Sequence, residues 1–278
     1  MTPRSLLRRA AEAFRESGVP DPETDASWIL ASLCSRSPLS LRLDDTTELD
    51  DRILDEFREL SQRRIRREPL QYILGETPFC GFSFRTDPRA LIPRPETEFL
   101  CEWAAELLAR NAGASVLDLC CGSGCIGISL KLLRPDLSVT LSDISGDALS
   151  LARENAGVLN ASVRFAQGDM FSPLSDFRFD LIVSNPPYIP SAQYDGLQRE
   201  LMWEPKEALL GGNDGLDFYR VLARKAPEYL SPGGMLLMEL GDREAEPVRC
   251  FMKESGFSGV EVRCDLHDLE RMILGYYS

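Results

Sequence analysis

Apolar positions recur every three to four residues in the first quarter of the chain and become short continuous runs after residue 114. Leu6, Leu7, Ala10 and Phe14 share one helical face. Ala26, Trp28, Ile29, Leu30 and Leu33 make a second after the cap-like Asp21-Pro22, and Ile53, Leu54, Phe57 and Leu60 a third. This spacing predicts that residues 1–75 are helical only. Residues 76–94, ETPFCGFSFRTDPRALIPR, mix aromatic and turn residues and predict a hairpin linker. Pro95 then opens a helix, with Glu96 and Glu98 in a first turn where the dipole favours acids. Strands are expected near 115–120, 138–142, 162–166, 180–184, 234–240, 258–264 and 271–276, with helical patterns in most gaps. Such alternation predicts a largely parallel sheet with helices on both faces. Ligands of these sheets bind beyond the carboxyl ends of the strands, so chemistry is sought there.

Composition narrows the picture. The net charge of −13 argues against nucleic acid as the primary substrate, because gripping a phosphate backbone takes a basic face; a local basic patch stays open. The N-terminus, MTPRSLLRRAAEAFRESG, interleaves charge with apolar positions, as an amphipathic helix does and a signal peptide does not. No run is long enough to span a membrane, and a cytoplasmic protein is expected. Most of the eight cysteines sit in apolar periodic segments and read as buried free thiols. Cys120-Cys121-x-x-x-Cys125 lacks a second ligand pair and His267 is the single histidine, so no metal is expected.

Four strand ends carry candidate chemistry. The first reads SVLDLCCGSGCIGISL: Asp118 precedes Gly122, Gly124 and Gly127, which let backbone approach a ligand. This G-x-G-x-x-G does not separate a nicotinamide dinucleotide from other adenosine cofactors. The second ends at Asp143, about 20 residues on, where a carboxylate can accept both ribose hydroxyls or help to start a helix. The third ends at Gly168-Asp169-Met170-Phe171, able to flank an adenine ring or to form an ordinary turn. The fourth, DLIVS, stops at Asn185-Pro186-Pro187-Tyr188. Proline has no N–H for the ladder, so the strand ends in a rigid turn. An amide or aromatic amine nitrogen is a poor nucleophile because its lone pair is delocalised. The Asn185 side-chain carbonyl and the Pro186 backbone carbonyl can accept its two N–H bonds, turn the lone pair outward and stabilise developing positive charge. Tyr188 can pack on the planar group.

At these residues the chain resembles the class I S-adenosylmethionine-dependent methyltransferases that act on amino groups. Glu68-Pro69-Leu70-Gln71-Tyr72-Ile73-Leu74-Gly75, Leu91-Ile92-Pro93-Arg94-Pro95-Glu96-Thr97-Glu98 and Glu204-Pro205-x-x-Ala208-Leu209-x-Gly211-Gly212-x-Asp214-Gly215-Leu216 closely resemble the release factor glutamine methyltransferases of the HemK/PrmC type. The resemblance covers almost the whole chain. It implies an α/β, Rossmann-like, seven-stranded mostly parallel sheet over 95–278. It also implies an all-helical substrate-recognition domain over 1–75 and a linker over 76–94. It implies S-adenosyl-L-methionine as cofactor and peptide chain release factors as partners, methylated on the glutamine N5 of a Gly-Gly-Gln loop. Cys120, Cys121, Gly122, Ser123 and Gly124 would cradle the methionine part, Asp143 the ribose and Met170 the adenine. Asn185, Pro186, Pro187 and Tyr188 would hold the substrate, with Asn185, Pro186 and Tyr188 catalytic and Asn185 also at the cofactor. Many relatives carry glycine at the Cys120 position and an aromatic residue at the Met170 position, which implies altered affinity rather than lost function.

Two basic groups stay open. Arg94 either approaches the cofactor carboxylate or braces the linker. Arg63-Arg64-x-Arg66-Arg67 reads as a solvated helix end, with contact to an acidic partner surface as the alternative. The rival functions are a nucleic acid amino-methyltransferase acting on adenine N6 or guanine N2, a non-enzymatic adenosine-binding module, and a nicotinamide dinucleotide enzyme.

Overall fold

The computed structural model describes residues 1–175 and 177–278. These fall into two compact units: Met1–Glu76 with Gln198–Trp203, and Thr77–Leu197 with Glu204–Ser278.

The first unit is helical. It contains α1 (Pro3–Glu16), α2 (Pro22–Cys34), α3 (Pro38–Leu43), α4 (Asp51–Ile65) and α5 (Leu70–Leu74). Proline stands at the start of α1, α2 and α3, where its missing N–H is not needed. Thr2, Ser37 and Asp50 accept hydrogen bonds from the first turns of α1, α3 and α4. Leu7, Phe14, Ile29, Leu30, Leu41, Phe57 and Ile73 close the core. The three expected helices are present, and the pattern missed α3 and α5, which are too short to show a period.

The arginine cluster is not a solvated helix end. Arg64 is buried and donates to Asp25 Oδ2 (2.7 Å), Glu200 Oε1 (2.8 Å) and the Glu68 carbonyl (3.1 Å). Arg67 grips Glu200 through two bonds (2.7 and 2.6 Å), and Arg63 grips Glu68. Only Arg66 of the four stays exposed. The acids that face the cluster belong to this chain.

A hairpin follows, β1 (Glu76–Phe79) and β2 (Phe82–Arg85), which from Thr77 on belongs to the second unit. Cys80 and Gly81 both take positive φ, 49° and 79°, as a two-residue hairpin turn requires. Residues 77–94, read from sequence as a linker, are counted within this unit. Then come α6 (Pro95–Leu107), β3 (Ser115–Leu119), α7 (Cys125–Leu133), β4 (Ser138–Asp143), α8 (Gly146–Val158), β5 (Arg164–Gln167) and β6 (Phe179–Ser184). They are followed by α9 (Asp217–Lys225), β7 (Leu230–Glu239), α10 (Ala245–Glu254), β8 (Phe257–Cys264) and β9 (Glu270–Tyr277). The seven strands run β5-β4-β3-β6-β7-β9-β8, all parallel except β9. This is the class I methyltransferase sheet: it differs from the dinucleotide order by the antiparallel strand inserted next to the edge. Two apolar layers cover its faces, one around Trp103, Ile128 and Leu141, the other around Phe179, Tyr219 and Ile273.

The 185–216 segment holds only short 3-10 turns at Ser191–Gly196, Arg199–Trp203 and Lys206–Ala208, because its prolines and glycines interrupt any longer helix. One expectation is corrected. The cysteines are free thiols, but only Cys101, Cys121 and Cys125 are buried. Cys250 and Cys264 are exposed, since α10 and the edge strand β8 each turn one face to water. No helix among the described residues is long and apolar enough to cross a membrane.

Candidate active site

The sheet order reverses between β3 and β6: the chain winds from β3 out to β5, then returns to pair β6 on the other side of β3. The strand ends at this switch point flank a crevice. Ser184 Oγ donates to the Leu119 carbonyl (2.6 Å) and locks the two ends together.

Asp118 is wholly buried in β3, and its Oδ2 accepts from the Gly127 N–H (2.8 Å). Gly127 has no Cβ because one would sit 3.0 Å from Asp118 and from Leu141. Burial pushes the Asp118 pKa up to about 7 against the Gly127 bond. After β3 the backbone enters the left-handed region at Cys120 (φ 61°), Gly122 (53°) and Gly124 (79°). Cys120 therefore occupies a conformation that glycine adopts without strain. Asn155 of α8 donates to the Ser123 carbonyl (3.0 Å) and pairs with both backbone polar groups of Arg85, tying the turn to the hairpin.

Asp143 ends β4. Its Oδ2 accepts from Gly122 N (2.9 Å) and its Oδ1 from Ser145 N (2.9 Å). Ser145 itself caps α8 through the Ala148 N–H, so Asp143 serves the glycine turn rather than the helix. Burial raises its pKa while the backbone donors lower it. Met170 sits half-buried at positive φ (48°) after β5.

A cavity of about 230 Å³ brings Cys120, Cys121, Gly122, Ser123, Asp143, Met170, Asn185 and Pro187 together. Gly124, Pro186 and Tyr188 are not among its lining residues. Asp143, Asp169 and Glu207 also face it. Its two arginines are already engaged: Arg89 with Asp87 and Glu154, Arg94 with Glu204. The uncompensated charge is negative, which suits a cationic ligand and opposes a diphosphate.

Asn185 follows β6. Its Nδ2 donates to Thr97 Oγ1 (3.2 Å), and Thr97 Oγ1 donates to Glu239 Oε2 (2.6 Å). A threonine hydroxyl that donates to a carboxylate can only accept from Asn185, which fixes Nδ2 on the Thr97 side. No described residue donates to Asn185 Oδ1. Tyr188 packs against the second apolar layer beside Gly241, where an added Cβ would stand 2.9 Å from the ring. Burial and the nearby Glu239 raise the Tyr188 pKa. Ile189 N donates to the Leu209 carbonyl and Gly211 N to the Ile189 carbonyl (both 2.9 Å), which lays the Glu204–Leu216 stretch along the proline turn.

Arg94 pairs with Glu204, whose other oxygen accepts from Ile92 N (2.9 Å), so it braces two stretches that the sequence singled out, and it also lines the cavity. Two members of the site had no role in the sequence reading. Thr97 lies inside the Leu91–Glu98 stretch, and Glu239 is a lone acid closing the apolar run Leu236-Leu237-Met238. Burial pushes the Glu239 pKa up to about 7.

The chain matches two family models, the PrmC N-terminal domain over residues 5–75 and the Methyltransferase small domain over 97–214. A release factor glutamine methyltransferase of Geobacter sulfurreducens is 41% identical over 275 residues, 99% of this chain and 96% of that protein. One from Neisseria gonorrhoeae is 42% identical over 258 residues, 92% of this chain and 94% of that protein. A methyltransferase structure from Pyrococcus furiosus aligns with a TM-score of 0.54 at 20% identity, over 70% of this chain and 89% of that one, a likeness of fold alone.

Proposed function

Because the chain belongs to the release factor glutamine methyltransferases, we infer that it methylates the side-chain amide nitrogen (N5) of the glutamine in the Gly-Gly-Gln motif of peptide chain release factors. The observation that carries the reading is Asn185: an amide on a rigid proline turn, lining the acid-rimmed cavity, with its Oδ1 unclaimed by any described donor.

The residues present fit S-adenosyl-L-methionine. A glycine turn with backbone N–H groups, a carboxylate at the end of β4 and an excess of acid suit an adenosine that carries a sulfonium. When bound, the cofactor supplies an electrophilic methyl group. Cys120 to Gly124 hold its methionine part, Asp143 its ribose hydroxyls and Met170 its adenine. Asn185 Oδ1 and the Pro186 carbonyl accept the two N–H bonds of the substrate amide. This orients the nitrogen and stabilises the positive charge that develops on it. The stiff Pro186-Pro187 turn keeps those acceptors in place, so little reorganisation accompanies the transfer. Tyr188 backs the turn from the core side. The methylated amide is strongly acidic while protonated and loses its proton to water, so no strong base is required.

We assign residues 1–75 to recognition of the protein substrate, 76–94 to the link and 95–278 to methyl transfer. We place the reaction in the cytoplasm, a compartment that suits eight free thiols. The test is transfer from labelled S-adenosyl-L-methionine to purified release factor, with a Gln→Ala loop variant and bare nucleic acids alongside. Label on the wild-type factor but not on the variant is expected. Label on nucleic acid alone would move the chemistry to a different substrate.

A further inference from the structure

Glu239 and Thr97 have no part so far in methyl transfer or cofactor binding, although Thr97 lines the cavity. Thr97 occupies the first turn of α6 and is 2% exposed; Glu239 ends β7 and is 4% exposed. The Glu239 backbone is pinned, because the buried Tyr219 hydroxyl donates to its carbonyl (3.0 Å) and accepts from Gly241 N (3.3 Å). An acid buried this deeply is costly unless it is held by donors, and its first donor is the Thr97 hydroxyl (2.6 Å). The result is a directed chain: Asn185 Nδ2–H to Thr97 Oγ1, Thr97 Oγ1–H to Glu239.

We propose that Glu239, acting on the Asn185 amide directly and through the Thr97 hydroxyl, is the positioning residue that sets which end of that amide meets the substrate. The ionised acid holds Oδ1 toward the substrate, and the protonated acid releases the amide to turn over. The logic is donor counting. A carboxylate has no proton, so Thr97 must donate to it and can offer Asn185 only a lone pair. A carboxyl group can donate to Thr97 Oγ1 instead. The Thr97 proton is then free to rotate onto Asn185 Oδ1, and Nδ2 can face the cavity. An N–H end there repels the substrate N–H it should accept. This rests on the substrate reading above, since it assumes that an amide N–H is what Asn185 receives.

The groups facing Glu239 let it act in this way. Glu96 on α6 raises its pKa; hydrogen bonds from the Thr97 and Asn185 side chains and the charge of Arg271 on β9 lower it. Tyr188 and Cys125 on α7 feel its charge, and both have pKa values raised, so they stay neutral around pH 7. Burial is the largest influence and brings Glu239 to about 7. An acid with this pKa is ionised above pH 7 and protonated below it. The productive orientation is therefore present at high pH and lost as pH falls through about 7.

The experiment combines kinetics with a readout that needs no protein substrate. Thr97→Val should lower kcat for release factor by roughly 10–100-fold, the scale of losing one orienting contact, with cofactor binding unchanged by calorimetry. Thr97→Ser should restore most of the loss. Wild-type kcat should fall on the acid side of about pH 7. Glu239→Gln should remove that limb, while Glu244→Gln, at another carboxyl whose pKa burial brings to about 7, should keep it. In parallel, the 15N resonance of the Asn185 side-chain amide should titrate near pH 7 in the wild type and be flat in Glu239→Gln. Full activity in Thr97→Val, or an Asn185 resonance that titrates identically in both proteins, overturns the proposal. If wild-type enzyme labels no release factor, the substrate reading fails, and the Asn185 titration still decides the relay.

Discussion

Asn155→Ala should be far more damaging than its place on α8, away from the cavity lining, suggests. Asn155 is 1% exposed and spends its whole amide on backbone. Oδ1 accepts from Arg85 N (2.8 Å), and Nδ2 donates to the carbonyls of Arg85 (3.3 Å) and Ser123 (3.0 Å). Truncation orphans all three partners. Ser123 is buried, so its carbonyl bears the full penalty of about 1–3 kcal/mol, whereas the Arg85 groups lie on an exposed strand end and can turn to water for a few tenths each. The expected loss is about 2–3 kcal/mol of stability in the sheet unit. Urea unfolding can isolate that unit, because Trp103 lies in it while Trp28 and Trp203 belong to the other. A Trp28→Phe, Trp203→Phe background leaves Trp103 as the reporter. Ser123 lines the cavity, so the loosened turn should also weaken cofactor binding by roughly 1 kcal/mol, about fivefold by calorimetry. Asn155→Asp separates the terms. It keeps the acceptor for Arg85 N–H but aims a carboxylate at two carbonyls, so it should be no better than Ala at pH 7 and should recover as pH is lowered. A loss below about 0.5 kcal/mol in Asn155→Ala, or an Asp variant as stable as wild type, would refute the accounting.

Other changes test other parts of the molecule. Asn185→Ala should cut methyl transfer by roughly 10²–10³ while cofactor binding changes much less; wild-type turnover would remove Asn185 from the reaction. Asp143→Ala should weaken cofactor binding by about 1.5–3 kcal/mol in calorimetry, and unchanged affinity would contradict its ribose role. Arg64→Met leaves Asp25 buried without its arginine and Glu200 with Arg67 alone, so thermal melts should report a loss of about 3 kcal/mol in the helical unit; an unchanged melt would show the network to be idle. Asp118 has a folded pKa of about 7, above the usual carboxylate value, so its proton stabilises the native state at low pH and that contribution is lost as pH rises from about 4 to about 7. Asp118→Asn should therefore shrink the drop in melting temperature between pH 5 and pH 8, and an identical drop in both proteins would refute the burial argument.

What the sequence made legible was decided by whether a residue's role is local. Buried strands announce themselves as apolar runs, and a ligand crevice lies at their ends, so Asp143 and Asn185 could be picked from position alone. The proline turn after β6 says by itself that a strand stops and an amide is held stiffly. Partnership is different. Arg64 meets Asp25 across 39 positions and Glu200 across 136, so the cluster looked like a charged helix end until the fold closed. Arg94 could face a ligand or a brace with equal reason, and the bracing partner, Glu204, lies 110 positions away. Glu239 shows why such gaps matter for function. As one acid after three apolar residues it has no pattern, and its meaning arises only when β7 brings it to Thr97, 142 positions upstream. Asn185 alone offers either end of its amide, and the hydrogen bonds to Thr97 and on to Glu239 turn its Nδ2 toward the core. The motif thus names the amide, while the partners that hold it are side chains that the fold alone brings to it.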